Sequence, residues 1–361
     1  MKRKVLVTSS FYDDLCGEGK AMLLEKGYEL EINHKDVPFY TFDELAVTMH
    51  DVDAAIVGTD LWTEEVYRLS PNLKCIAKFG VGVDNIDLQK AKDYGIKVVN
   101  ARGQNSNAVA ELVVGLMIDC LRSISLLSGM LKKGCWQRKA GGEIEGKTIG
   151  FIGFGSIAQL VSTKLQGFNV HQIAYDVFPN QEIADKLNVK LVDLQQLLSA
   201  SDIVSLHIPA TKDNYHFMNK QRFSAMKKGS YFINTARGSL VSLDDLCDSI
   251  ETGYLAGAAL DVYEEEPLPG NSRVLLLPGV ITVPHIGADT IEVYRNIGIS
   301  TAKSVIDVFE GRIPTSGASS GITWNRLSSR GICHGSAMSD STRPPASEGT
   351  ITSRSSWTWI R

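Results

Sequence analysis

The stretch "KTIGFIGFGSIAQLVSTKLQG", residues 147–167, limits the possible folds most. A β-branched run leads into Gly153-x-Gly155-x-x-Ala158, and a helical pattern follows at once. A lone G-x-G-x-x-G/A pattern is weak, but its position between a strand and a helix gives it meaning. Gly153 permits a tight turn, Gly155 lets backbone approach a diphosphate, and a small residue at 158 lets helix and strand pack closely. The diphosphate would lie against the positive end of the helix. An acidic residue is expected about 20 positions on, to hold a ribose diol. Asp176 ends the next strand, 18 residues past Ala158. Its charge would repel a 2′-phosphate, and "VFPN" at 177–180 offers no arginine to receive one. The pattern therefore points to NAD rather than NADP.

The rest of the chain fits such a unit. "KVLVTS", "AAIVG", "CIAKFG" and "IKVVN" read as strands, separated by helix-like spacing such as "CGEGKAMLLEKG" closing on Gly27. From Lys147 the alternation restarts, with strands at "HQIAYD", "DIVSLHIP", "YFINTA", "AGAALDV" and "VITVPH". Strands alternating with helices imply parallel sheets. The expected fold class is α/β, with two doubly wound, Rossmann-like domains. The first is discontinuous, 1–100 and 286–314, because "DTIEVYRNIGISTAKSVIDVFEG" can carry the chain back to it. The second spans 101–285. From Thr315 the composition shifts to twelve serines, five arginines and no lysine, with no periodicity, so 315–361 is expected to be a disordered or aberrant tail. Isolated Trp324, Trp357 and Trp359 suit an out-of-frame or read-through extension.

Composition excludes little else. A formal charge of −4 gives no sign of nucleic acid or an anionic membrane as partner. The six cysteines form no C-x-x-C pair and no metal-ligand spacing, and they read as reduced thiols; no metal is expected. The apolar stretch 108–121 is short and holds Glu111 and Asp119, so it is not a membrane span. The amino terminus lacks a signal-peptide core, which makes the cytoplasm the expected location.

Ligands of doubly wound sheets bind beyond the carboxyl ends of strands. Three charged groups stand there. Arg237, in "INTARGSL", would ordinarily be a solvated turn residue, but the adjacent Gly238 suggests a special turn, and a guanidinium can grip a carboxylate with two hydrogen bonds. His285, in "VPHIGADT", is framed by Pro284 and Gly287, and imidazole exchanges a proton near neutral pH. "DVYEEEPLPG" offers three glutamates. Glu264 and Glu265 have nothing to fix them and are expected to face solvent. Glu266 precedes Pro267, which keeps it out of helical geometry. The residues alone leave its role open.

Seven segments in order, "FGVGVDNID", "NSNAVAE", "GFIGFGSIA", "LHIPAT", "NTARGSLV", "GAALDVYEEEPLP" and "PHIGADT", resemble the D-isomer-specific 2-hydroxyacid dehydrogenase family across about residues 3–313. The resemblance implies a catalytic triad of Arg237, Glu266 and His285. It implies that the amides of Gly80, Val81 and Gly82, after Phe79, receive the substrate carboxylate. It implies cofactor contacts from Gly153, Phe154, Gly155, Ser156, Ile157, Asp176, His207, Pro209, Thr235, Ala236, Arg237, Asp261, His285 and Gly287, with Asn105 and Glu111 in support. NAD would be the cofactor and a small 2-oxo or 2-hydroxy acid the substrate. Subunits would pair as a homodimer through the NAD domain, with 103–145 as the arm. "VGTDLWTEEV", 57–66, has acids and no arginine where phosphoglycerate-binding members carry basic residues, which leans away from tight phosphate binding. 3-Phosphoglycerate and hydroxypyruvate or glyoxylate stay open as substrates, and no regulatory domain is expected. Some relatives are corepressors, so an NAD-sensing binding protein with little turnover is the alternative. The family's usual closing segment is not recognisable after Ile313.

Overall fold

The structure, a computed structural model, describes residues 2–35 and 37–314; the segment 315–361, with Cys333, lies outside the described residues. Five short runs form the first sheet: β1 (Lys4–Val7), β2 (Glu29–Ile32), β3 (Ala54–Val57), β4 (Cys75–Lys78) and β5 (Lys97–Asn100). Every position of β3 and β4 is buried, as expected of strands covered on both faces. All pairings are parallel, in the order β2-β1-β3-β4-β5, one of the two common doubly wound arrangements.

Seven further strands form the second sheet: β6 (Thr148–Ile152), β7 (His171–Tyr175), β8 (Lys190–Leu191), β9 (Ile203–Leu206), β10 (Tyr231–Asn234), β11 (Gly257–Leu260) and β12 (Val280–Thr282). Their order, β12-β11-β10-β9-β6-β7-β8, reverses direction between β6 and β9. Such a switch point opens a crevice at the strand ends. All of its pairings are parallel too. The fold class read from the sequence is what the chain adopts.

The helix Ile291–Phe309 carries the chain back to the first sheet. Thr290 caps it by accepting from the Val293 amide, and Tyr294, Ala302, Val305 and Ile306 join Val5, Val7, Leu23 and Ile56 in one core. The core against the first sheet therefore draws on two separate stretches of the chain. The helix Ser106–Arg122 packs into the second core through Val109, Val113, Leu116 and Met117. No single helix among the described residues is long and apolar enough to cross a membrane. Cys16, Cys75, Cys120 and Cys247 are buried free thiols, and Cys135 is exposed.

Two strands escaped the sequence reading. β2 ("ELEI") has no fully buried residue, and β8 spans two residues. Both are edge strands, where one flank needs no apolar cover.

Candidate active site at the strand ends

The glycine turn after β6 has the shape its sequence demands. Gly153 adopts φ of 87°, and a Cβ there would lie 2.7 Å from the His207 carbonyl oxygen at the end of β9. The two strands flanking the switch point thus touch through a residue that must lack a side chain. Gly155 caps the helix Ser156–Leu165, and a Cβ built on it meets nothing. Ala158, in the first turn of that helix, is fully buried. Asp176 follows β7; its Oδ2 accepts from the Phe154 amide at 2.7 Å and its Oδ1 from the Phe178 amide at 2.8 Å. The acid and the glycine turn are thereby one unit.

His207 Nε2 lies 2.9 Å from Ser205 Oγ, and burial pushes its pKa down to about 4, so the ring is neutral. Pro209 is exposed beside it. Thr235 Oγ1 is buried with no hydrogen-bond partner among the described residues. An open helix N-terminus, an acid tied to the glycine turn and an unpaired buried hydroxyl at the neighbouring strand end suit a bound dinucleotide. Among the described residues, no three His, Cys, Asp or Glu side chains gather as metal ligands.

Beyond β10 the chain turns sharply. The Asn234 side chain shapes this turn, donating to the Arg237 carbonyl at 2.9 Å and accepting from the Ala236 amide at 3.0 Å. Gly238 packs so tightly that a Cβ would come within 1.9 Å of the Tyr263 carbonyl carbon. That contact presses the Arg237 turn against the segment carrying Glu266. Arg237 Nη1 donates to the Ala236 carbonyl at 2.7 Å, and Nε donates to Asp84 Oδ2 at 2.9 Å.

After β11, Tyr263 ties the next parts together. Its hydroxyl donates to the carbonyls of Leu260 and Val283, each at 3.0 Å, and its amide donates to Glu266 Oε1 at 2.8 Å. The Glu266–Pro267 peptide is cis. Glu266 Oε2 lies 2.7 Å from His285 Nδ1. His285 has φ of 54°, a left-handed geometry uncommon outside glycine, just past β12. Hydrogen bonding to Glu266 raises the His285 pKa against the opposing effect of burial, and the charges of Glu266 and Asp261 add to it. Burial works against the Glu266 charge, but the His285 hydrogen bond and charge, with the Tyr263 amide, hold its pKa below the usual carboxylate range. Asp261 is buried and accepts from the amides of Ile286 (2.6 Å) and Gly287 (3.0 Å). Burial pushes its pKa up to about 6, against the pull of those amides and of His285.

The expectation for the glutamates needs one correction. Glu264 is exposed but not unfixed: His216 Nε2 lies 3.0 Å from its Oε2, and Tyr215 donates its hydroxyl to Oε1. Those partners lie 48 and 49 residues upstream, beyond any local pattern.

The segment after β4 faces this cluster from the first sheet. Its shape is set by Asn100 Nδ2, which donates to the Val81 carbonyl at 2.7 Å, and by Asn85 Nδ2, which donates to the Asp60 carbonyl at 2.6 Å. Lys78 lies buried beneath it and donates to the Gly58 carbonyl. Burial pushes the Lys78 pKa down to about 8, partly offset by Asp60. Asn234, Asn100, Lys78 and Asp84 were not singled out from the sequence. Each lies inside or beside a segment that was read as a strand or a motif. Asn105 stands at the N-cap of the helix Ser106–Arg122 without a side-chain cap bond, and Glu111 pairs with Lys164 at 3.0 Å.

Comparison with known proteins fits this geometry. Residues 114–287 match the model of the D-isomer specific 2-hydroxyacid dehydrogenase NAD binding domain. A hydroxypyruvate reductase from Thermotoga maritima is 40% identical over 298 residues, covering 81% of this chain and 95% of that one. A D-3-phosphoglycerate dehydrogenase from Archaeoglobus fulgidus is 40% identical over 272 residues, covering 74% of this chain but 52% of that one. The crystal structure of the TT0316 protein from Thermus thermophilus superposes with a TM-score of 0.78 at 31% identity, covering 87% of this chain and 99% of that one. Shared sequence along nearly the whole described length, together with the shared fold, settles the assignment: the chain belongs to the D-isomer specific 2-hydroxyacid dehydrogenases, NAD-dependent oxidoreductases acting on a CH–OH group.

Proposed function

We propose that the chain reduces a small 2-oxo acid to the D-2-hydroxy acid, with glyoxylate or hydroxypyruvate as the substrate, in a cleft between a substrate domain (1–100 and 286–314) and an NAD domain (101–285). The single observation carrying this reading is the 2.7 Å pair of His285 and Glu266, pressed by Tyr263 and Gly238 against the Arg237 turn.

The amides of Gly80, Val81 and Gly82 and the Arg237 guanidinium receive the substrate carboxylate. Arg237 also faces the carbonyl oxygen on which negative charge grows, where fixed positive charge lowers the barrier. His285, protonated and oriented by Glu266 through Nδ1, donates its Nε2 proton to that oxygen. In the reverse direction neutral His285 takes the proton back. Gly153, Phe154, Gly155, Ser156 and Ile157 hold the diphosphate, and Asp176 the ribose. His207, Pro209, Thr235, Ala236, Asp261 and Gly287 line the remaining cofactor surface. Bound NADH supplies the hydride that adds to the carbonyl carbon.

The preference for an unphosphorylated substrate rests on charge. Asp60 and Asp84 lie at the first-sheet side of the cleft, where Lys78 is the buried cation and already donates to Gly58. Few basic groups are left there for a phosphate. Pairing of subunits draws support from the helix Ile124–Lys132, which buries none of its residues, and from exposed Ile124, Leu131 and Trp136. A cytoplasmic location goes with the free thiols.

NADH oxidation by the purified chain, measured with glyoxylate, hydroxypyruvate, 3-phosphohydroxypyruvate and pyruvate, tests the reading. Turnover highest with the first two is the expected result. Tight NADH binding with no turnover on any of them would favour the NAD-sensing binding protein instead.

A further inference from the structure

The Arg237 guanidinium is held from both lobes. Its own lobe contributes the Ala236 carbonyl, which accepts from Nη1 at 2.7 Å. The first sheet contributes Asp84, which accepts from Nε at 2.9 Å across 153 residues of sequence. Gly82 closes the third side. A Cβ at position 82 would come within 1.8 Å of Arg237 Nη2 and 3.0 Å of Asp84 Oδ2, so only glycine lets the guanidinium lie there.

Asp84 sits on a segment braced on each side. Asn100 holds the Val81 carbonyl. Asn85 donates to Asp60 and Gly58, and its carbonyl accepts from the Trp62 amide at 2.8 Å. The Ile86 amide donates to the Val83 carbonyl at 3.0 Å. Asp84 is thus a carboxylate on a stiff platform, though its side chain is 67% exposed. An exposed ion pair contributes little to stability. What it does supply is direction, because a planar guanidinium gripped at Nε and one Nη1 hydrogen has its plane fixed. The second Nη1 hydrogen and both Nη2 hydrogens stay free for a ligand.

We propose that Asp84 is a positioning residue for Arg237: it holds the guanidinium from the opposite lobe, so that the arginine is ready for a substrate carboxylate only when the two lobes meet. This rests on the reading of Arg237 given above. Asp84 touches no substrate atom; it acts through Arg237 alone.

The test uses the full chain and three variants, Asp84→Asn, Asp84→Glu and Arg237→Ala, with D84N also placed in the R237A background. Steady-state constants are measured with the best 2-oxo acid found for the wild type. Binding of oxamate, an unreactive carboxylate mimic, is measured by calorimetry in the presence of NADH. In D84N, KM and the oxamate Kd should rise together by about tenfold to a hundredfold, the size of a lost charge-assisted hydrogen bond, with NADH affinity and Tm unchanged. D84E should recover part of the loss. In the R237A background D84N should add nothing, because residues acting through one another are not additive. Unchanged KM and oxamate affinity in D84N would overturn the proposal. So would tighter oxamate binding, which would make Asp84 a competitor of the substrate. A further loss in the R237A background would overturn it too, as would a fall in Tm and NADH affinity that accounts for the whole effect. If D84N does not fold, Asp84→Glu takes its place in both backgrounds: a rise in KM and oxamate Kd that vanishes beside R237A is expected, and an unchanged KM and Kd would overturn the proposal. A wild type inactive on every 2-oxo acid would count against the proposed function, and oxamate binding would then test Asp84 on its own.

Discussion

Glu266 Oε2 and His285 Nδ1 stand 2.7 Å apart, and the other Glu266 oxygen is occupied by the Tyr263 amide. The carboxylate is therefore fixed before it meets the ring. Only Nε2 of the imidazole is left to face a substrate, and the ring is biased toward its charged form.

Replacing the ring removes the proposed proton donor. His285→Ala should cut turnover in 2-oxo acid reduction by ~10²–10⁴, the usual contribution of a general acid. NADH affinity, followed by fluorescence titration, should stay close to wild type, because the glycine turn and Asp176 lie elsewhere on the second sheet.

The sign of the pH dependence follows from Glu266. With His285 as the proposed proton donor, kcat/KM for reduction should be high at low pH and fall as pH rises through the raised His285 pKa, above 6.5. Oxidation of the hydroxy acid should rise over the same interval. Glu266→Gln removes the partner, and the reduction profile should fall at lower pH. Stability should respond as well. The raised His285 pKa makes a contribution that is full below the unfolded value near 6.5 and lost as pH climbs through the folded one. The lowered Glu266 pKa makes one present above 4.5 and lost at acid pH. Urea unfolding should therefore show E266Q costing most between those limits and little at alkaline pH.

Gly153→Ala puts a Cβ 2.7 Å from the His207 carbonyl oxygen at φ of 87°. Backbone strain of that kind costs about 1–3 kcal/mol. The turn would relax by moving away from β9. A lower Tm and NADH binding weakened by about tenfold or more are the expected results, read by thermal denaturation and titration.

Asp176→Ser should narrow the preference for NADH over NADPH. One charge–charge repulsion near a surface is about 1–4 kcal/mol at ~4 Å, enough to shift the ratio of kcat/KM values about tenfold or more. Absolute NADH affinity should fall as well, because Asp176 also accepts from the Phe154 amide. A parallel steady-state series with both cofactors reads each effect.

Most of the fold was legible because central parallel strands are apolar nearly throughout, as "AAIV" is and as "CIAK" is up to the buried Lys78 at its end. β2 and β8 were not legible, because "ELEI" alternates acids with apolar residues and buries none of them fully, and β8 is only two residues long. The glycine turn, Arg237 and His285 were visible through local spacing, whereas Glu266 was singled out among its neighbours only through the family resemblance. Asp84 was not, because its meaning depends on Arg237, which is remote in sequence. Asn100 and Asn234 read as ordinary polar strand ends until their side chains are seen bonding Val81 and Arg237. Glu264 shows the same limit in the opposite sense, since its partners Tyr215 and His216 come from a distant loop.

The return of the helix Ile291–Phe309 to the core of β1 and β3 has a consequence for biosynthesis. Translation delivers Val5, Val7 and Ile56 early, yet the side chains that cover them, Ala302, Val305 and Ile306, leave the ribosome only after the whole second sheet. The strands made first must wait uncovered while the second sheet is produced whole behind them. A nascent chain halted before residue 291 should therefore display a protease-sensitive amino-terminal third and depend on chaperones there, with the later sheet already resistant.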